Sequence, residues 1–334
     1  MGKVTKFLSL DEQYEQAQSC LKKGDIAGAV KHIKAALVKR QNPGGWGLLG
    51  WSMLQKGEYR EGLSAAKKMR NTALKVPSKP LLAIADCLMG RIHHEAGRKV
   101  LAERYYRESL DAHPRTETCV FLGVLLNEQG RSIEAKVYFQ KALQIDPQDV
   151  EARYNMARWY YTHRDYERTV KHLRIVLDFN PGYADAVELL TIALWQFGST
   201  GFQQARELLE TSVISDITNV RKQLLLALTY RLLNKTKDAE NTFRFIISEL
   251  EENSAAHLLF ANMLAEKARN HTEAESHFRK ALEISPEKGA NHYYYAKFLI
   301  NNDCIEEAQE HLQNAAQLGY EKAEMLLENF LEAD

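Results

Sequence analysis

The sequence has little proline and lacks long apolar runs. Its 334 residues include seven prolines, which predicts that long Pro-rich linkers are absent. No apolar run approaches the ~20 residues that a membrane-spanning helix needs. The first residues, MGKVTKFLSLDEQ, contain no apolar stretch of the length found in secretory signals. These features predict a folded, cytoplasmic chain that does not enter a membrane.

The sequence also lacks the motifs that mark common enzymes and metal sites. The chain has four cysteines: Cys20, Cys87, Cys119 and Cys304. No two of them form a CxxC pair, so we expect buried free thiols rather than a zinc site or a disulfide framework. HExxH, GxxxxGK[ST] and a strand-borne GxGxxG are absent. Adjacent His93 and His94 point apart on a helix, and His271 and His277 are poorly spaced to chelate. The sequence therefore predicts a protein that is not an enzyme, with no metal and no cofactor.

Residues 116–147, TETCVFLGVLLNEQGRSIEAKVYFQKALQIDP, show a pattern that recurs along the chain. Leu122 and Leu126 fall on one face of a first helix. Gly130 interrupts at a place suited to a turn with positive φ. Phe139 falls on the inner face of a second helix, and Pro147 ends the unit. The stretch therefore predicts two helices joined by a tight turn.

A small residue on the first helix marks nine copies of this unit. The marking positions, of which the first and sixth are weak matches, are Gln18, Gly50, Gly90, Gly123, Ala157, Thr191, Ala227, Ala261 and Ala296. They are spaced by 32 to 40 residues. A small side chain at this point lets the two helices of a unit approach closely.

The pattern resembles that of the tetratricopeptide repeat family. WGLLGWSM, from Trp46, resembles the start of a repeat, and AESHFRKALEISP, from Ala274, resembles its second half. The resemblance implies an all-α fold, a right-handed superhelical solenoid of about nine helix-turn-helix repeats in which each repeat covers its neighbour. The predicted segments are an N-terminal extension 1–10, repeats 11–42, 43–82, 83–115, 116–149, 150–183, 184–219, 220–253, 254–288 and 289–320, and a C-terminal capping helix 321–334. In the cap, the residues expected to point inward are Ala323, Leu326, Leu327 and Phe330.

Two irregularities interrupt the period. The 40-residue spacing predicts a longer connection in residues 71–82, NTALKVPSKPLL. FGSTGFQQ, residues 197–204, adds two residues to a tight turn. Such insertions can carry function or be inert.

Three aromatic residues are consecutive in ARWYYTHRDYERT, residues 157–169. Successive residues of a helix point about 100° apart, so the three side chains cannot share a face. We expect Tyr160 in the core and Trp159 against the preceding repeat. Tyr161 shares its face with Tyr154 and Arg158.

The resemblance implies that this last face lines a concave groove. The predicted groove residues are Trp51, Arg91, Val124, Asn127, Tyr154, Arg158, Tyr161, Ile192, Trp195, Leu228, Arg231, Asn262 and Tyr293. Further residues at these positions are Cys87, Val120, Glu188, Leu224, Leu258 and Lys297. We expect a protein or peptide partner with apolar anchors, held by the aromatic residues and oriented by the arginines. An alternative interpretation is that these are ordinary positions of the family that contact no partner.

Charge supports a second functional hypothesis. Residues 1–115 contain 21 Lys and Arg against 11 Asp and Glu, whereas residues 240–334 contain 8 against 18. This asymmetry is consistent with a structural subunit that contacts partners, or itself, through oppositely charged ends. The pI of about 7.2 disfavours nucleic-acid binding. The carboxylate clamp that some family members use for chaperone tails is also disfavoured, because Glu15 and Ser19 replace its Lys and Asn and Asn155 alone matches.

Overall fold

The regular secondary structure of the computed structural model is helical throughout the residues it describes. The structure describes residues 9–76, 78–266 and 270–331, except for the side chains of residues 215 and 328–331. These described residues contain no strand. The helices are α1 Leu10–Lys22, α2 Ile26–Lys39, α3 Pro43–Gln55, α4 Tyr59–Lys75, α5 Lys79–Glu95, α6 Lys99–Ala112, α7 Thr116–Glu128, α8 Ser132–Ile145, α9 Val150–Thr162, α10 Tyr166–Phe179, α11 Ala184–Leu194, α12 Gly198–Ser215, α13 Val220–Leu232, α14 Thr236–Glu249, α15 Ser254–Ala265, α16 His271–Ile284, α17 Gly289–Ile300, α18 Ile305–Gln317 and α19 Glu321–Leu331. A 3-10 turn, Trp195–Phe197, precedes α12. Among these helices, none combines the length and apolar character required to cross a lipid bilayer.

The helices belong to two compact units, residues 1–181 (unit 1) and 182–334 (unit 2). We call the first helix of each repeat helix A and the second helix B. In each unit, helix A packs on the helix B that follows it. Within unit 1, α3, α5, α7 and α9 are helices A that also contact one another in turn, and within unit 2 α11 contacts α13 and α15 contacts α17. Stacked helix pairs in each unit confirm the all-α solenoid predicted from the sequence.

The turn between helices A and B needs one residue with positive φ. Gly130 supplies it between α7 and α8, with φ of 78°, at no steric cost. In other repeats the position is taken by Arg164, Asn234 and Asp303, with φ between 56° and 60°. Asn and Asp tolerate this conformation better than other side chains do, whereas for Arg it is uncommon.

The small residue of helix A lies directly against an aromatic ring of helix B. A Cβ atom built on Gly123 would stand 2.5 Å from Cε1 of Phe139, and one on Gly90 would stand 2.6 Å from the Tyr106 ring. Both rings are buried. The close approach of the two helices therefore depends on the missing side chain.

The predicted longer connection in residues 71–82 is wrong. Helices α4 and α5 have 17 residues each, against 13 or 14 in the other helices of unit 1. The extra residues therefore lengthen the two helices instead of the loop, and α5 begins at Lys79. Pro80 fits in the first turn of α5, where no intrahelical partner for its nitrogen is needed. Pro77 lies outside the described residues.

Cysteine burial differs from the prediction at two positions. All four thiols are free, and Cys87 and Cys119 are buried. Cys20 is half-buried and Cys304, at the start of α18, is exposed. Burial raises the pKa of the Cys87 and Cys119 thiols to about 11, so these two are poor nucleophiles at neutral pH.

Helix α19 packs on α18 at the end of unit 2. Ala323 is buried, and Leu326 and Leu327 pack against the core of the unit. The sequence pattern predicts that Phe330 also points inward, but its side chain lies outside the described part of the chain.

The contact between Gly123 and Phe139 predicts a stability effect. Gly123→Ala should lower the free energy of unfolding by about 1–3 kcal/mol, because the added methyl group overpacks a buried ring. Urea denaturation followed by circular dichroism measures the change. Gly44→Ala is the control, since its nearest neighbour would be 3.4 Å away, and it should stay within about 0.5 kcal/mol of wild type. Equal effects of the two substitutions would contradict the packing argument.

Candidate binding surface

The three consecutive aromatic residues of α9 have three different environments. Tyr160 is buried in the core of unit 1. Trp159 donates its indole N–H to the carbonyl oxygen of Ser132, 2.9 Å away on α8 of the preceding repeat. The Lys136 ammonium lies 4.2 Å from the Trp159 ring centroid. Tyr161 is half-buried. The helical-wheel interpretation of Tyr160 and Trp159 is confirmed.

A cavity of about 110 Å³ is lined mainly by residues of α7 and α9, the helices A of two consecutive repeats. Its lining residues are Val124, Asn127, Glu128, Phe139, Asn155, Arg158, Trp159 and Thr162. Three of these, Val124, Asn127 and Arg158, are predicted groove residues that the fold brings together. The amide of Asn155 is already used, because it donates to the carbonyl oxygen of Glu151 at 2.8 Å. Carbon atoms of Val124, Phe139 and Trp159 make part of the wall apolar. We call this cavity and the adjoining Tyr154 and Tyr161 the α7–α9 surface.

Arg158 is the cation of the α7–α9 surface. Its guanidinium lies 6.0 Å from the ring centroid of Tyr154, one turn earlier on the same helix, and the side chain is exposed. Among the residues that the structure describes, no carboxylate lies within ion-pair distance of it. Tyr161, on the next turn, contacts Tyr166 with 5.8 Å between ring centroids. An arginine that is flanked by an aromatic ring and open to solvent can bind a carboxylate from another molecule.

A second cluster on the helix-A side of unit 1 includes a residue that sequence reasoning missed. The ring centroids of Trp51 and Phe121 are 6.5 Å apart, and the Arg91 guanidinium lies 4.9 Å from the Phe121 centroid. Arg91 also pairs with Glu95 at 2.7 Å. Phe121 stands one residue away from the predicted groove position Val120, which is buried. Only the packing of α3, α5 and α7 shows that Phe121 joins Trp51 and Arg91.

Two further groove-position residues are also buried. Cys87 in unit 1 and Leu258 in unit 2 have almost no exposed surface. Both therefore belong to the cores of their units and offer little surface to a partner.

In unit 2 the predicted groove residues are mostly engaged with their own unit. Trp195 donates its indole N–H to Oγ1 of Thr229 at 3.1 Å. Arg231 pairs with Glu266 at 3.4 Å. Ile192 is half-buried, and Leu228 packs against the core. Unlike Arg158, Arg231 already has a carboxylate partner.

The last two predicted residues of unit 2 also have internal contacts. Asn262 donates its amide N–H to the carbonyl oxygen of Leu258 at 2.8 Å. Tyr293 contacts Tyr320, with 5.0 Å between ring centroids. The α7–α9 surface, by contrast, combines a cavity with an arginine that is open to a partner.

Two histidine pairs occupy equivalent positions in consecutive repeats of unit 2. Nδ1 of His257 lies 2.8 Å from Nδ1 of His277, and Nδ1 of His292 lies 2.9 Å from Nδ1 of His311. Nε2 of His257 lies 3.1 Å from the carbonyl oxygen of Glu251, and Nε2 of His292 contacts a backbone carbonyl at 3.0 Å. A carbonyl only accepts hydrogen bonds, so each helix-A ring carries its proton on Nε2. Its Nδ1 then accepts the N–H of the helix-B ring.

This arrangement disfavours protonation of the pairs. Burial lowers the pKa of His277 and of His311, and the partner imidazole adds to the effect. Burial also lowers the pKa of His257. In unit 1, burial lowers the pKa of His172 to about 4, and the nearby Arg153 contributes. Among the described residues, no group of three or more His, Cys, Asp or Glu is arranged around one point, at these pairs or elsewhere.

The lowered pKa values predict loss of stability in acid. In the unfolded chain these histidines bind protons near pH 6.5, whereas in the folded chain they bind protons only at lower pH. These histidines therefore do not reduce the free energy of unfolding above about pH 7. The free energy of unfolding falls as the pH drops through 6.5 toward the lowered pKa values. The urea midpoint should decrease between about pH 7.5 and about pH 5.5. The combined variant His277→Gln and His311→Gln should reduce this decrease without abolishing it, since His172 remains.

Replacement of the exposed His113 by Gln is the control for the histidine variant. It should leave the pH dependence of the urea midpoint as in wild type. A double variant that is as sensitive to pH as wild type would contradict the assignment to the two pairs.

Comparison with known proteins agrees with the repeat pattern. Residues 126–191 and 224–288 match family models described as tetratricopeptide repeat. No curated protein sequence matches the chain. A tetratricopeptide repeat protein from Parabacteroides merdae is similar in structure, with a TM-score of 0.55 and 16% identity over 96% of this chain and 97% of that one.

Two eukaryotic structures are similar over most of the chain. The human IFIT1 dimer with PPP-AAAA has a TM-score of 0.56 and 19% identity over 98% of this chain and 83% of that one. Yeast Tom70 has a TM-score of 0.53 and 11% identity over 96% of this chain and 95% of that one. At such identities the likeness shows the fold alone. The family models, together with the recurring helix pairs, identify this chain as a tetratricopeptide repeat protein.

Proposed function

We propose that this protein is an interaction scaffold that binds a partner peptide on the α7–α9 surface. Tetratricopeptide repeats are in general protein-interaction modules, and this proposal adds the place and the chemistry. Arg158 carries the proposal, because it combines an exposed guanidinium, an aromatic neighbour and an adjoining cavity. Arg91 and Arg231, by contrast, are paired with Glu95 and Glu266.

The chemistry of the surface defines the peptide. Arg158 would pair with a carboxylate, either of Asp or Glu or of a free C-terminus. Val124, Phe139 and Trp159 would surround one apolar side chain of the peptide, and the Asn127 amide lies at the same cavity. The partner motif is therefore an apolar residue next to an acidic group. A hydrogen bond to a charged group contributes about 1.5–3 kcal/mol.

A structural subunit that associates through its charged ends stays the alternative. It is supported by the opposite net charges of residues 1–115 and 240–334. Sedimentation velocity at low and high salt tests it: charge-driven association gives a larger species only at low salt. A monomer under both conditions would exclude self-association of this kind.

The peptide proposal predicts the outcome of a selection experiment. A random peptide library displayed on phage is selected on the immobilised full chain. Enriched peptides should share an apolar residue next to an acidic side chain or a C-terminal carboxylate. Their affinity should fall at least about tenfold for Arg158→Glu, because a favourable ion pair becomes repulsive. Arg158→Lys should bind with intermediate affinity, since it keeps the charge and loses the planar fork.

The matched control is Arg221→Glu. It makes the same charge change at an exposed arginine of a helix A in unit 2, whose ion pair with Glu188 is long at 4.0 Å. Peptides should bind this variant as they bind wild type. If the enriched peptides bind Arg158→Glu as well as wild type, the α7–α9 surface is not their binding site.

A further inference from the structure

A group of apolar side chains is exposed on unit 2, at positions other than the predicted groove residues, and three of its members line one cavity. The group comprises Ile214 near the end of α12, Ile217 in the following loop, Phe245 on α14 and Leu250 just after it. Their exposed fractions are 84%, 59%, 39% and 44%. We call these four residues the α12–α14 patch. An exposed apolar surface of this kind is usually covered by a partner.

Two adjoining cavities lie at the patch, with volumes of about 180 and 290 Å³. Both are lined by Ile217, Gln223 and Phe245. Gln223 is buried and donates its side-chain N–H to the carbonyl oxygen of Ile217, so its donor is already used. Val220 and Leu250 complete the apolar wall of the smaller cavity, which also has the Glu249 side chain at its edge. The cavities therefore offer mainly apolar walls to two neighbouring side chains of an occupant.

Exposed carboxylates stand beside the patch. Glu249 and the two residues after Leu250, Glu251 and Glu252, are exposed, and none of the three has an ion-pair partner among the residues that the structure describes. The nearby Lys222 is buried, and its Nζ lies 3.8 Å from a carboxylate oxygen of Asp216.

Two arginines near the patch in sequence also contact carboxylates. Arg221, next to Val220, is exposed, and its guanidinium lies 4.0 Å from a carboxylate oxygen of Glu188. Arg244, on the same helix as Phe245, is held by Glu240 at 2.9 Å and by Glu273 at 2.6 Å. Open carboxylates therefore flank the apolar patch, while the neighbouring cations are paired.

We propose that the α12–α14 patch docks an amphipathic basic helix of a partner protein. Two large apolar side chains one helical turn apart would enter the adjoining cavities, as in other helix-in-groove complexes. Lysine or arginine side chains beside them would face Glu249, which lines the smaller cavity, and Glu252. This interaction is separate from peptide binding at the α7–α9 surface, so the failure of one leaves the other in place.

Three labelled model peptides distinguish the contributions to binding. The first is an amphipathic Leu/Lys helix, the second has Glu in place of Lys at every position, and the third has Ala in place of Leu. Fluorescence anisotropy with the full chain should give an affinity for the Leu/Lys helix at least about tenfold above that for either of the others, because burying two leucines and pairing their flanking lysines both contribute. If the Ala/Lys peptide binds as tightly as the Leu/Lys helix, charge alone explains the binding and the proposal is overturned. Absence of Leu/Lys binding would overturn it as well.

Substitutions locate the binding site. Ile217→Asp combined with Phe245→Asp should weaken Leu/Lys binding at least about tenfold, and Glu249→Lys combined with Glu252→Lys should reverse the preference between the Lys and Glu peptides. The control is Ile133→Asp combined with Val137→Asp, which changes two exposed apolar residues of α8 and should bind like wild type. If circular dichroism shows that the Ile217→Asp and Phe245→Asp variant is unfolded, Ile214→Asp, at the most exposed residue of the patch, replaces it in the binding measurement.

A second copy of the chain is the competing occupant. If sedimentation shows a wild-type dimer that dissociates in Ile214→Asp, the patch is covered by self-association and the partner-helix proposal is wrong. A wild-type monomer that binds the Leu/Lys helix, with binding lost in the patch variants, supports it.

Discussion

The close approach of helix A and helix B is the constraint on which the rest of the structure depends. In the fourth repeat Gly123 lies against the ring of Phe139, and in the third Gly90 lies against Tyr106. Later repeats use a fully buried alanine at this position, such as Ala261. With the small residue in place, each helix pair presents an apolar face that the next pair covers. Within each unit, this stacking positions the side chains that the described helices present at the surface.

Stacking also decides which polar and apolar groups are left for other molecules. Two arginines of helices A are neutralised within their own unit, Arg91 by Glu95 and Arg231 by Glu266. Arg158 is left open beside a cavity, and for this reason we propose that the α7–α9 surface binds an acidic peptide. The α12–α14 patch has the opposite character, because its apolar residues are flanked by open carboxylates such as Glu249. The protein would thus select partners of opposite charge at its two surfaces.

Much of the fold could be predicted because its signals are local. Helical spacing of apolar residues, the small residue and the left-handed turn all lie within one repeat, and each recurs at about the same interval. The prediction of a longer connection failed because the length of a repeat does not show where its extra residues lie. The extra residues in 71–82 could lengthen a loop or the flanking helices, and the structure shows that α4 and α5 are longer. The pairing of His277 was also missed, because it contacts His257 on another helix and not its sequence neighbour His271.

The sequence by itself determined that this chain is an all-helical array of repeats, and it placed Tyr160 in the core and Trp159 against the preceding repeat. Those features depend on the geometry of a single helix and of its immediate neighbour. Only the tertiary structure decided that Arg158 is open while Arg231 is paired, and that Phe121 joins Trp51 and Arg91. These contacts join helices of different repeats across distances that the repeat spacing does not specify, and a single ion pair or ring contact changes whether a side chain is available to bind.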